Sequence, residues 1–148
     1  MPITVTAPEG VLTAQGERDI LPRLTAALIE AAGLTGNTFL TAMVGGTVHI
    51  LPRDRIYAGG HHRPVVMVEL KLPNIGLASL EARADFIARA AEIVAALAVP
   101  GHQPQNTWIN IVNAPDGGWG IGSRQYTSDA LVAAITAAAD RNVLAANG

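Results

Sequence analysis

Pro2 stands directly behind Met1 in this chain of 148 residues. An initiator methionine is expected to be removed when the next residue is small, and its removal would leave Pro2 with a free secondary amine. An internal proline such as Pro64 has no basic nitrogen, so it cannot share that role. A general base works best with a pKa near the working pH. Burial in an apolar pocket and nearby cations both disfavour the charged ammonium. A neutral Pro2 nitrogen could take a proton from a carbon beside a carbonyl and return it elsewhere. That is a keto–enol or 1,3-allylic isomerisation, and it needs no cofactor. A substrate carboxylate would favour a bidentate guanidinium. Arg53, Arg55, Arg63 and Arg124 all lie in or beside turns; Arg55 and Arg124 are the preferred candidates, with solvated turn arginines as the alternative. Tyr57 and Asn110 could donate hydrogen bonds to an enolate oxygen, or serve structure alone.

The elements that must position these groups emerge from an internal repeat. Pro2 followed by Ile3-Thr4-Val5-Thr6 aligns with Pro64 followed by Val65-Val66-Met67-Val68, and Pro52 aligns with Pro115. Each half, about 2–62 and 64–125, therefore runs proline, strand, helix, strand, proline-containing turn and small-residue strand. In the first helix Ile20, Leu24, Leu28 and Ala31 recur near helical spacing; in the second, Phe86, Ile87, Ala90, Ile93, Val94 and Leu97 form a wider apolar face. Ser79 is the expected N-cap of the second, with Glu81 favoured in its first turn. Pro22 leaves two starts open for the first helix: near Ala14, with a proline inside it, or near Leu21, with Pro22 in the first turn. Strands are expected over Ile3–Ala7, about Ala42–Leu51 with a bulge at Gly45-Gly46, Val65–Lys71 and Thr107–Asn113. A strand–helix–strand unit of one sheet favours a parallel crossover. The expected fold class is α/β, more closely α+β: two fused β-α-β units making one four-stranded sheet, with two long helices on one face. A C-terminal helix of about 128–141 follows, with Ser128 as N-cap, an apolar stripe of Leu131, Val132, Ile135 and Ala138, and Arg141 in its last turn. The whole chain, 1–148, reads as one domain.

The stretch Pro2-Ile3-Thr4-Val5-Thr6-Ala7-Pro8-Glu9-Gly10 resembles the start of 4-oxalocrotonate tautomerase-like proteins, and Trp119-Gly120-Ile121-Gly122 resembles their glycine-rich hairpin. Thr107-Trp108-Ile109-Asn110-Ile111-Val112-Asn113-Ala114-Pro115 looks like the matching strand and turn of the longer, fused members of the tautomerase superfamily, such as malonate semialdehyde decarboxylases and cis-3-chloroacrylic acid dehalogenases. The resemblance covers about residues 2–126. It implies a catalytic Pro2, an aromatic wall at Trp119 and a homotrimer. Relatives with a more basic proline use the cation as a general acid. The sequence departs from the family where arginines would grip carboxylates: Glu9-Gly10-Val11-Leu12, Pro73-Asn74-Ile75-Gly76 and Trp108 carry none. A dicarboxylate is therefore not the expected substrate.

Composition narrows the remaining classes. Charged residues are only 15% of the chain, the net charge is −2, and Lys71 is the only lysine. No basic stripe favours nucleic acid. There is no cysteine, hence no thiol chemistry or thiolate metal site. No apolar run approaches the roughly 20 residues of a membrane span, and no signal-peptide pattern opens the chain, so a cytoplasmic location is the default expectation. His61-His62 reads as solvated loop rather than a metal site, and His49 as a core or interface residue. Glycine pairs lack the context of a phosphate loop. No cofactor, metal, nucleic acid or membrane partner is expected. The leading reading is a cofactor-independent tautomerase acting on a small carbonyl compound through Pro2. The alternatives are a Pro2 general-acid hydratase, dehalogenase or decarboxylase, and a catalytically silent ligand-binding homologue.

Overall fold

In the computed structural model, which describes residues 1–146 and side chains through Arg141, burial alternates along the first strand, β1 (Pro2–Pro8). Ile3, Val5 and Ala7 are fully buried while Thr4 and Thr6 stay half-exposed. That period of two puts one face of the strand against the core. The chain continues through α1 (Ala14–Ala31), the short α2 (Thr38–Met43) and β2 (Gly45–Leu51), then through a tight hairpin of β3 (Tyr57–Ala58) and β4 (His61–His62). The second half repeats the plan with β5 (Val66–Leu72), α3 (Leu80–Leu97), β6 (Thr107–Asn113) and a hairpin of β7 (Trp119–Ile121) and β8 (Arg124–Tyr126). Helix α4 (Ser128–Ala146) ends the described chain.

The four long strands form one sheet in the order β2-β1-β5-β6. Pairing is parallel within each unit and antiparallel where β1 meets β5. Helices α1 and α3 are both 18 residues long and bury Ile20, Leu24, Phe86, Ala90 and Val94 against Ile3, Val5, Val66, Val68 and Leu70. The expected α+β sheet with its helices on one face is thus present. The two units are also tied at their corners, where Thr13 N–H donates to Leu97 O at 3.0 Å and Val99 N–H donates to Val11 O at 2.8 Å.

Several local expectations are corrected. Helix α1 starts at Ala14, capped by Thr13, whose Oγ1 accepts from Gly16 N–H at 2.9 Å; a start near Leu21 is overturned. Pro22 therefore sits inside the helix, and the cap and the buried stripe outweigh its missing N–H. Residues 42–44 do not belong to a strand, because Asn37 caps α2 by accepting from Leu40 N–H at 2.9 Å. Gly45-Gly46 forms no bulge and pairs in register with Pro2 and Ile3. Gly46 is there for closeness: a Cβ would lie 2.3 Å from Ile3 O and 2.9 Å from Leu21 Cδ2.

Ser79 caps α3 as expected, accepting from Ala82 N–H at 3.0 Å, but Ile87 points outward, 41% exposed. At α4 the cap is Thr127, whose Oγ1 accepts from Ala130 N–H at 3.3 Å, rather than Ser128. Asp116 Oδ1 instead accepts from the Ser128 backbone at 2.7 Å. The helix continues beyond Arg141, which is not in its last turn. Leu131 and Ala138 are buried while Val132 faces solvent. His61 and His62 form a short strand rather than a loop, and the His62 ring lies 4.3 Å from that of Tyr57. His49 is exposed rather than in the core, its Nε2 3.0 Å from Thr47 Oγ1. No helix among the described residues is long and apolar enough to cross a membrane.

Candidate active site

The antiparallel joint between β1 and β5 decides which groups meet Pro2. In a parallel β-α-β unit the second strand ends at the far end of the sheet from the first strand's start. The hairpin after β2 therefore lies by Pro8, a strand's length from Pro2, roughly 20 Å for seven residues. Because the second unit runs the other way, the end of β6 lies at Pro2's end of the sheet. Its hairpin brings Trp119 to the first unit's proline.

Pro2, Met43, Gly46, Trp119 and Ile121 line an open cleft of about 450 Å³ together with Met1. Trp119 is half-buried and packs on the main core. Its ring lies 5.2 Å from that of Tyr126, which is 6.1 Å from the Phe39 ring on α2. Such tilted aromatic contacts fix ring positions, so the wall beside Pro2 is held from behind. Among the described residues no arginine, lysine or carboxylate lines the cleft.

Met1 occupies the space in front of Pro2. It is only 7% exposed, and its ammonium donates to Met43 O. Burial pulls the pKa of this amine below the usual value for a chain terminus, since the charged form loses hydration. Behind Met1 lies a second recess of about 290 Å³, with Leu28, Leu40, Leu72, Ile75, Leu131 and Ile135 on its walls. One wall is the loop between β5 and α3. Asn113 Nδ2 donates to Pro73 O at 2.9 Å and to Gly76 O at 2.7 Å, while Arg83 Nε donates to Leu77 O at 2.8 Å. Leu77 itself adopts a left-handed φ of 48°, unusual for a leucine. The loop is shaped by these staples rather than by its own preference.

Arg124 is on the same hairpin as Trp119 and pairs with Ile121, but it is not among the residues lining the Pro2 cleft; its guanidinium carbon lies 4.7 Å from the Tyr126 ring centroid, a cation–π contact. The remaining candidates lie farther away. Arg55 is exposed and lies 3.8 Å from Asp54. Tyr57 is in the first hairpin and Asn110 on the outer face of β6. Arg53 and Arg63 gather with His62 beside Pro64, the counterpart of the Pro2 cleft in the other unit. There Arg53 donates to Glu9 O at 2.9 Å and Arg63 to Asn106 Oδ1 at 2.8 Å. The chain therefore brings together Pro2 and Trp119 but not Pro2 and any of the arginines. Among the described residues no group of three or more His, Asp or Glu could hold a metal.

Sequence reasoning missed Met1, Met43 and the recess. Helix α2 carries the missed signal: Asn37-Thr38 is a cap pattern, and Phe39, Leu40 and Met43 follow at helical spacing. The walls of the recess come from α1, α2, the β5–α3 loop and α4, so no local pattern exposes them.

No family model and no curated protein matches the chain. Solved structures do match. A crystal structure of Pt0534 inactivated by 2-oxo-3-pentynoate aligns with a TM-score of 0.69 at 20% identity, over 88% of this chain and 98% of that one. A fused 4-OT solved as an asymmetric trimer aligns at 0.70 and 23% identity, over 88% and 98%. A member of the cis-3-chloroacrylic acid dehalogenase family aligns at 0.69 and 12% identity, over 85% and 83%. The chain has the fused β-α-β fold of the tautomerase superfamily.

Proposed function

We propose that, with Met1 removed, the Pro2 nitrogen is the general base of a cofactor-independent tautomerase acting on a small carbonyl compound. The observation that carries this reading is the setting of the terminal amine. The Met1 amine is partly buried, and its pKa is lowered by that burial. Pro2 lines the same cleft with Met43, Trp119 and Ile121, apolar neighbours that disfavour a charged amine at this next position. Its lone pair takes a proton from the carbon beside the carbonyl. The C–H electrons form the enolate, and the resulting ammonium returns the proton to carbon or oxygen at another position. The apolar lining of the cleft favours a neutral base over a Pro2 cation acting as general acid, so hydration, dehalogenation or decarboxylation is the weaker reading. Arginine-free walls are the feature that favours a silent ligand-binding homologue.

The same fold occurs in a protein inactivated by 2-oxo-3-pentynoate, which supplies a test. After intact mass has verified the loss of Met1, the protein is treated with that acetylenic ketone. Addition of the Pro2 nitrogen to the alkyne, with its proton passing to the neighbouring carbon, should add one whole reagent mass at Pro2. Ketonisation of phenylenolpyruvate should stop in proportion. A protein carrying one extra residue before Pro2 has an amide there; labelling or turnover of that protein at the normal rate would remove Pro2 from the mechanism.

We further propose a homotrimer. Among the described residues nothing covers the outer sheet face, where Trp108 is 41% and Val112 53% exposed, and no strand pairs with the outer edges of β2 and β6. Association removes such edges, and a fused 4-OT of this fold was solved as a trimer.

A further inference from the structure

Among the described residues Met1 alone lines both the cleft at Pro2 and the recess behind it. Its side chain is buried in the main core cluster and borders both spaces. Excision of Met1 would do more than free an amine. It would empty the volume of a methionine side chain and join the recess to the cleft. The recess alone, at about 290 Å³, is close to the lower end of the roughly 300–1,000 Å³ of ligand pockets. Its walls include Leu28, Leu40, Leu72, Ile75, Leu131 and Ile135, and among the described residues no charged side chain lines it. A charged group in such a place would lose its hydration with no partner, whereas an apolar group gains by leaving water.

We infer that Met1 is a removable plug, and that the space it vacates binds an apolar substituent of phenyl size on the substrate while the carbonyl stays in the cleft beside Pro2. The substrate class is then a carbonyl compound with one bulky apolar arm, in place of the dicarboxylate that an arginine-free cleft could not hold. The proposal rests on the Pro2 reading for its catalytic sense, but the plug and the pocket can be measured without turnover.

Two proteins are compared by calorimetry at pH 7: the chain beginning at Pro2 and the same chain with Met1 retained, whose fold is the one described above. The probes are 4-phenylbutan-2-one and butan-2-one, neutral ketones differing by the phenyl group. The Met1-free protein should bind the phenyl ketone at least about tenfold more tightly than butan-2-one, the factor that about 1.4 kcal/mol represents. Retention of Met1 should remove that preference. In parallel, kcat/KM for phenylenolpyruvate should exceed that for enolpyruvate by a similar factor. Phenyl-selective binding without any turnover would leave the plug standing and sink the Pro2 mechanism. Turnover without phenyl preference would do the reverse. Equal binding of the phenyl ketone with and without Met1, or no preference in either protein, overturns the plug proposal.

Discussion

Trp119 and Pro2 define what single side chains contribute here. The indole ring stands on one wall of the cleft and gives the amine an apolar neighbour, so Trp119→Ala should raise the amine pKa by letting more water reach the ammonium. The rising limb of the kcat/KM profile should then move to higher pH; an unmoved profile with normal turnover would return Trp119 to packing alone. Pro2→Ala leaves a primary amine of different basicity and fit. Ketonisation should fall by about 10² to 10⁴-fold, the usual worth of general acid–base catalysis, with the oligomer unchanged by sedimentation. His102 offers a separate pH signature. Burial lowers its pKa below the ordinary 6.5, and its Nε2 is 2.9 Å from Thr107 Oγ1. The unfolded chain therefore takes up the proton first as pH falls. The contribution of His102 to stability is complete above about pH 6.5 and is lost as pH falls through its folded pKa. Urea melts at pH 7.5 and 5 should show a smaller pH-dependent loss in His102→Gln than in the parent protein.

Among the elements, α1 and β2 carry the clearest tensions. Pro22 lies exposed in the interior of α1, where it removes one helical hydrogen bond and crowds the preceding turn. Pro22→Ala should raise stability by up to about 3 kcal/mol, measured by chemical denaturation; a destabilised variant would show that the bend serves the packing. Gly46 holds β2 against β1 with no room for a Cβ. Gly46→Ala should destabilise by about 1–3 kcal/mol, the usual scale of overpacking, and should disturb Pro2, whose neighbour Ile3 supplies the obstructing carbonyl. These elements also mark where local patterns were readable. The strand Thr107–Asn113 and the Ser79 cap follow from alternation and capping chemistry that involve only neighbouring residues. Helix α2 was hidden because six residues give too short a period to separate from the strand that follows, and the Thr13 cap was hidden because Pro22 is unfavourable inside a helix that begins at Ala14.

One sheet face is covered by α1 and α3, and the other is covered by no element among the described residues. Thr4, Thr6, Met67, Glu69, Trp108, Asn110 and Val112 share that open face by strand alternation. Sedimentation equilibrium at micromolar concentration should give three times the chain mass. Trp108→Glu, which puts a charge where packing is expected, should shift the distribution toward monomer and lower turnover through the loss of assembly. A monodisperse monomer from the parent protein would end the trimer proposal.

Proline at position 2, the doubled strand–helix–strand order, the apolar stripes and the lack of arginine at the strand exits were all determined by the sequence, because each depends on residue type and short spacing. The sequence alone could not assign the companions of Pro2. Those depend on the direction in which the two units join: an antiparallel β1–β5 pair carries the second hairpin to the first proline and sends Arg55 and Tyr57 to the opposite end of the sheet. The recess is likewise a product of tertiary structure, since Leu28, Leu72 and Ile135 come from three separated elements and meet only when helices close over the sheet. Spacing along a chain encodes what a segment buries; the identity of what it is buried against is set by long-range packing, and there Met1, the Pro2 cleft and the apolar recess acquire their relation.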